Sequence, residues 1–332
     1  MKNKLIIIAI AVFILFSIGI NMKIIGILSE VRGLSDKYNL KAGEESNRSL
    51  HFVLIAPDKY SYAWKLIKMG ALDTAEKEKA ILETIEVESF DVEEQVKEME
   101  IAIAAKVDGI IVDPQNNEVF KSLIDKASEK GISVVTMNSN PKDNKNIITI
   151  SNNCKKEGIN AAGIVAKGIN NSGRVLIVQE ERDDIGLQQE LERVAGFTET
   201  MKNFAGISID NVTIKDIHSA QGMEQLGQII SDKQAFDAIF TTEQEVTVGV
   251  AQTIESMSKS KSIFFVGVGD GSQIFNYIRN GVINVSFIQD SFSMGQLSIK
   301  ELIKTRENKM TGQETLTDPI MINDENVNSF IR

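Results

Sequence analysis

From residue 50 onward, short β-branched runs alternate with longer stretches of helical periodicity, and no other feature narrows the possible folds as far. Leu50–Ala56 reads as a buried strand, and after the aromatic loop Asp58–Trp64 a helix runs to about Lys79. Leu82–Ser89 alternates apolar and polar residues, the pattern of a second strand. Asp91 and Glu94 form a capping-box-like start to a helix with apolar positions Val92, Val96, Met99 and Ile103. Val107–Asp113 is a strand, Val119–Lys130 a helix closed by Gly131, and Ile132–Met137 a strand ending at Asn138. The order then recurs. Helices are predicted over Asn153–Asn170, Gln188–Phe204, Gly222–Ser231 and Val246–Met257. Strands are predicted over Arg174–Gln179, Asn211–Ile217, Phe236–Thr242 and Ile263–Val268. Phe236–Thr242 mirrors Val107–Asp113, and Ile263–Asp270 mirrors Ile132–Asn138, a weak duplication of one βα set rather than a solenoid. Strands and helices joined by right-handed crossovers build doubly wound parallel sheets, and 332 residues suffice for two of them.

One stretch, Ile263–Gln273, carries the clearest chemistry. Its apolar strand breaks at glycines, with Asp270 just past the carboxyl end and a new helix near Ile274. Carboxyl ends of strands are where open α/β sheets hold small ligands, and a carboxylate there accepts hydrogen bonds from a polar one. The plainer alternative is that Asp270 caps the following helix. Asp108, Asp113 and Asp237 recur at strand edges and read as loop or cap residues.

The net charge of −10 and the lack of any basic run exclude the electrostatic footprint of nucleic-acid binding. A single cysteine, Cys154, excludes an internal disulfide and a Cys-rich metal site, and no cofactor is called for. Lys2 and Lys4 precede the apolar run Leu5–Ile20, and a second apolar patch spans Ile24–Leu28. As a helix, Leu5–Leu28 is long enough to span a bilayer of roughly 30 Å. That span and the lack of a small-x-small cleavage site favour an uncleaved anchor over a cleaved signal peptide. The leading lysines place the N-terminus in the cytoplasm and the rest outside the cell membrane. The expected division is an anchor over 1–29, a polar stalk over 30–49, and globular chain from residue 50.

From residue 50 to about 322 the chain resembles the ribose-binding-protein-like family of type I periplasmic binding proteins. The likeness rests on ordered pieces: the aromatic loop after the first strand, Asp-Gly-Ile-Ile-Val at 108–112 and Val-Val-Thr-Met-Asn at 134–138. Val-Gly-Val-Gly-Asp-Gly at 266–271 and the segment 281–289 continue the series. The resemblance implies two lobes joined by three hinge crossovers, 50–152 plus 290–314 and 153–289 plus 315–332, with a sugar between them. It also implies stacking aromatics near Tyr60, Ser61 and Trp64, and hydrogen-bonding residues at Asn138, Glu243, Asp270 and Gln289. Rings that cover a sugar's C–H face and amides and carboxylates that bind its hydroxyls suit a mostly dry cleft. Trp64 has a competing reading as a core residue, but its loop lies at a strand's carboxyl end, which favours stacking. The family's two arginines have no match: Ser139 stands at one position and Leu191 at or near the other, where Gln188, Gln189 or Arg182 could substitute. Without them the expected ligand is a pentose such as xylose, or another small neutral polyol.

Catalysis finds little support. His51 and His218 lie in unlike settings, and Gly267–Gly271 is not a full dinucleotide fingerprint. A repressor would carry a basic helix-turn-helix where the apolar segment stands. The remaining readings are a membrane-tethered sugar receptor that reports to a sensor histidine kinase, and the solute-binding component of an ABC importer with its permease. The apolar segment without a lipidation cysteine favours the first, by likeness to membrane-anchored xylose-binding receptors.

Overall fold

In chain order the elements begin β1 (His51–Ala56), α1 (Tyr62–Lys77), β2 (Ile81–Glu86), α2 (Val92–Ala105), β3 (Gly109–Val112), α3 (Asn117–Glu129), β4 (Ser133–Met137) and β5 (Ile147–Asn152). There follow α4 (Cys154–Gly168), β6 (Ser172–Glu180), α5 (Gly186–Met201), β7 (Gly206–Ile214), α6 (Ala220–Ser231), β8 (Ala238–Thr241), α7 (Gln244–Ser256), β9 (Phe264–Val268), α8 (Ser272–Arg279) and β10 (Val285–Ile288). The chain finishes with α9 (Ser291–Asn308), β11 (Glu314–Thr317) and β12 (Ile320–Asn323). The computed structural model describes residues 49–58, 61–88, 91–114, 117–138, 147–181, 186–231, 236–257, 262–308 and 312–330. The expected anchor and nearly all of the stalk lie outside the described residues. Among those described, no helix is long and apolar enough to cross a membrane.

Two six-stranded sheets form, ordered β11-β5-β4-β3-β1-β2 and β12-β10-β9-β8-β6-β7. Apart from the edge strand in each, the second order repeats the first with every strand number raised by five. The duplication read in the sequence is therefore a duplication of places, β3 with β8 and β4 with β9. A small detail repeats with it. The Asp108 carboxylate accepts the His51 N–H at 2.8 Å, and Asp237 accepts the Arg174 N–H at 2.7 Å. Each aspartate precedes a central strand and ties down the start of its neighbour.

Both sheets are covered on both faces, which is why their central strands are continuous apolar runs. Alternate residues of β6 show it: Val175 and Ile177 pack toward α4 and α5, Leu176 and Val178 toward α6, α7 and α8. In the first lobe α1 and α9 cover one face, α2 and α3 the other.

Three departures from the sequence reading have physical causes. β7 lies at 206–214 rather than 211–217 because its apolar residues change sides, Ile207 and Ile209 facing one cluster and Val212 and Ile214 the other. That switch interrupts the alternation a reader looks for. β5 passes unread because its buried second half is polar. Thr149 meets Thr136 hydroxyl to hydroxyl at 3.2 Å, and the Ser151 carbonyl accepts from Thr317 at 3.3 Å. Lastly, β12 runs antiparallel to β10 while all other pairs are parallel. The carboxyl ends of the two sheets lie toward one another. A chain that passes from β11 straight into the second sheet enters at that end, so it must run against the strands there.

Candidate functional site

The chain passes between the sheets three times, after β5, after β10 and after β11. Where β5, β9 and β10 end there is a cavity of about 180 Å³. A water's share of liquid volume is roughly 30 Å³, so this space suits a small molecule rather than a nucleotide or peptide. The first lobe contributes Ala63 and Asn152 to its wall, the second Glu157, Gln189, Arg193, Gln244 and Asp270, and the crossover Gln289.

Local geometry puts Asp270 there. Gly269 has φ +124° and leaves no room for a Cβ, which would lie 2.7 Å from the Cβ of Gln244. That close approach lets Gln244 Oε1 accept the Asp270 N–H at 3.1 Å. The next helix, α8, is capped by Gly271 with no side-chain bond, so Asp270 is not its cap. Among the described residues no side chain donates to the Asp270 carboxylate, which is met by its own backbone N–H. Burial of that carboxylate raises its pKa.

The residue that the sequence reading missed is Arg193. Leu191, at the position where the resemblance puts an arginine, is half exposed, whereas Arg193 is buried and forms part of the cavity wall. Its Nε donates to Glu157 Oε1 at 2.8 Å and its Nη1 to the Thr242 carbonyl at 2.6 Å. Burial alone would lower the Arg193 pKa. The Glu157 carboxylate, aided by Glu243, instead holds it above the ordinary value. Beside it, burial pushes the Cys154 thiol up to about 12, so it stays protonated and inert.

Two glycines make the Arg193–Glu157 pair possible. At Gly158 a Cβ would lie 1.9 Å from the Arg193 carbonyl oxygen, and at Gly196 it would lie 2.2 Å from that of Lys155. The backbones of α4 and α5 therefore touch, which sets residue 157 against residue 193. Gly70 and Gly295 do the same for α1 and α9. Gly158→Ala should force the helices apart and cost about 1–3 kcal/mol or more in urea unfolding. It should also weaken ligand binding through Arg193.

The other expected site residues divide. Gln189 and Asn138 meet across the cleft, the Gln189 amide donating to the Asn138 carbonyl at 3.3 Å. Asn138 takes a left-handed φ of 57°. Gln289 lines the cavity and donates to Ser291 at 3.0 Å. Glu243 opens α7 without capping it. Ser61 and Trp64 are not in the wall. The Ser61 hydroxyl caps α1 by accepting the Trp64 N–H at 3.4 Å. Trp64 is 7% exposed and shares the inward face of α1 with Ile67 and Ala71, packed on the sheet, while Ala63 reaches the cavity. Tyr60, Ser139 and Arg182 lie outside the described residues. Asn152, Glu157 and Gln244 join Arg193 as wall residues the sequence reading did not name. A second, wider cavity of about 610 Å³ lies at the opposite, amino-terminal ends of β6 and β9. Its acid, Asp237, already accepts the Arg174 N–H.

Comparison with known proteins agrees with this architecture. Residues 52–309 match the family model described as a periplasmic binding protein domain. The ribose import binding protein RbsB of Bacillus subtilis is 21% identical over 234 residues, 70% of this chain and 73% of that protein. A solved mutant XylFII–LytSN complex contains a chain 27% identical to this one with a TM-score of 0.75, covering 85% of this chain and all of that one. AraP, an arabinose-binding protein from Geobacillus stearothermophilus, has a TM-score of 0.76 at 23% identity over 86% of this chain and all of that one, a likeness of fold. With two α/β lobes, a polar cleft between them and a family match across most of its length, this chain belongs to the type I periplasmic binding proteins, which bind ligands and catalyse no reaction.

Proposed function

We propose that this protein is a membrane-tethered receptor for a small polyol of about pentose size, and that it reports occupancy to a sensor histidine kinase. The observation that supports it most is the cavity, where polar side chains from both lobes meet with Asp270 unbonded by neighbouring side chains. A ligand that bridges the lobes shifts a hinge equilibrium toward closure by its differential affinity for the two states. A partner that recognises the closed arrangement then reads the ligand. The solved XylFII–LytSN complex supports the signalling half, since a similar chain there assembles with a second protein. The apolar segment Leu5–Leu28 supports the tether. The name of the B. subtilis relative favours a second reading, the binding component of an ABC importer.

A thermal-shift screen of pentoses, hexoses, cyclitols and their amino derivatives on the full chain in mild detergent tests the ligand class. A cognate ligand at about 100 times its Kd should raise the midpoint by roughly 5–10 °C. No response to any of them would refute the sugar reading. Ligand-dependent co-purification with a kinase ectodomain supports the sensor, and with a permease the importer.

A further inference from the structure

The described wall of the cavity carries two carboxylates, Glu157 and Asp270. Among the described residues, Arg193 is the one cation in its wall, and Glu157 already faces it at 2.8 Å. That leaves the Asp270 carboxylate in the wall without a counter-charge, with Glu243 and the 1%-exposed Glu190 close to the same cluster through Arg193 and Thr242. The buried side-chain oxygens lacking a partner at this end of the sheets include Asn138 Oδ1, Asn152 Oδ1 and Glu190 Oε2, all acceptors. Asn152 is decisive among them. It is 8% exposed, lies in the wall, and its orientation is set because Nδ2 donates to Glu157 Oε2 at 2.7 Å. Its Oδ1 therefore waits for a donor.

Neutral sugars carry hydroxyls that both donate and accept, and they bring no charge. An ammonium carries three donors, no acceptor, and the missing positive charge. A metal ion would supply charge as well, but among the described residues no three acidic, histidine or cysteine side chains are grouped to hold one. A partly buried carboxylate without a counter-charge is costly, and an organic cation of the right size relieves that cost through a short charge-assisted hydrogen bond.

We infer that the ligand is an amino polyol, a sugar or cyclitol bearing a protonated amine, with the Asp270 carboxylate as its counter-ion and the Asn152 carbonyl oxygen as a second acceptor. This deepens the receptor reading and rests on it. Of the two arginines that the resemblance implies, one position holds Ser139, the guanidinium that is present, Arg193, is already paired with Glu157, and Glu243 adds an acid, so the charge of the site is shifted in the direction such a ligand needs.

Calorimetry on the full chain in mild detergent at neutral pH tests it with matched pairs: xylose with 2-amino-2-deoxyxylose, galactose with galactosamine, and inositol with inosamine. Each amine is also tested as its N-acetyl derivative, which keeps an N–H but loses the charge. The expected result is that at least one free amine binds ten-fold or more tightly than both its neutral parent and its N-acetyl form. Asp270→Asn, nearly isosteric and expected to leave the melting temperature of the unliganded protein close to native, should erase that preference. Neutral parents that bind as well as their amines would overturn the inference and leave the sugar receptor standing. A preference undiminished in both Asp270→Asn and Asn152→Leu would overturn the assignment of these two residues. Failure of every compound to bind would remove the receptor reading itself.

Discussion

Arg193→Met is expected to destabilise the protein by about 3–5 kcal/mol, because it strands the Glu157 carboxylate in a buried site. Glu157 is 1% exposed, so water cannot take over the lost partner. The substitution also removes the donor to the Thr242 carbonyl at the end of β8, beside the cavity. The expected signature is a melting point lower by roughly 10 °C, on the scale of 2–4 °C per kcal/mol for domains of this size. Replacing both partners, as Arg193→Met with Glu157→Leu, should recover much of that loss, since no uncompensated charge is left. Differential scanning calorimetry of the two singles and the double closes the cycle. If the double mutant is as unstable as the sum of the singles, the pair is not coupled in the way described. Ligand binding should fail in the double mutant even where stability returns, because the guanidinium in the cavity wall is gone.

Asp270→Asn should weaken ligand binding by roughly 100-fold, the scale of a hydrogen bond to a charged group. The pH dependence carries further information. Burial raises the Asp270 pKa above its ordinary 3.8. Donors on a ligand bind the ionised carboxylate, so affinity is complete at neutral pH and declines as pH falls through that raised pKa. The decline therefore begins at higher pH than it would for an exposed aspartate. Stability of the unliganded protein runs the other way. A carboxyl whose pKa is higher folded than unfolded binds more protons in the folded state, so this group's contribution falls as pH rises from 3.8 through the folded pKa. Titration calorimetry between about pH 4 and 7 should show the loss of affinity in the native protein and not in Asp270→Asn. Equal pH profiles for the two would remove Asp270 from the site.

The layered fold was legible because buried parallel strands advertise themselves as unbroken apolar runs, and Phe236–Thr242 and Val107–Asp113 could be matched by eye. Asp270 was legible for the same reason, as an acid where such a run stops. Arg193 was not. Leu191 lies two residues away, roughly 200° around the helix at 3.6 residues per turn, so a shift of two positions carries the arginine to the opposite face. The useful signal was the spacing Gln189 to Arg193, one turn apart on a common face, together with Gly158 and Gly196 marking where two helices touch. Asn152 was hidden by its own strand, whose hydroxyls and amides look like a loop until their partners are seen. At the start of α1 the helix turns the Trp64 ring into the core and presents Ala63 to the cavity, a choice of face that the residue types alone leave open.

The tail has a bearing on how such a chain can be made. β11 completes one sheet and β12, two residues later, completes the other, so neither half owns a contiguous piece of polypeptide. A ribosome must release residues 314–323 before either half can seal its border, and a nascent chain halted after α9 would expose two unpaired strand borders at once. One short stretch of polypeptide thus seals both lobes, and no single lobe could be cut out and inherited alone.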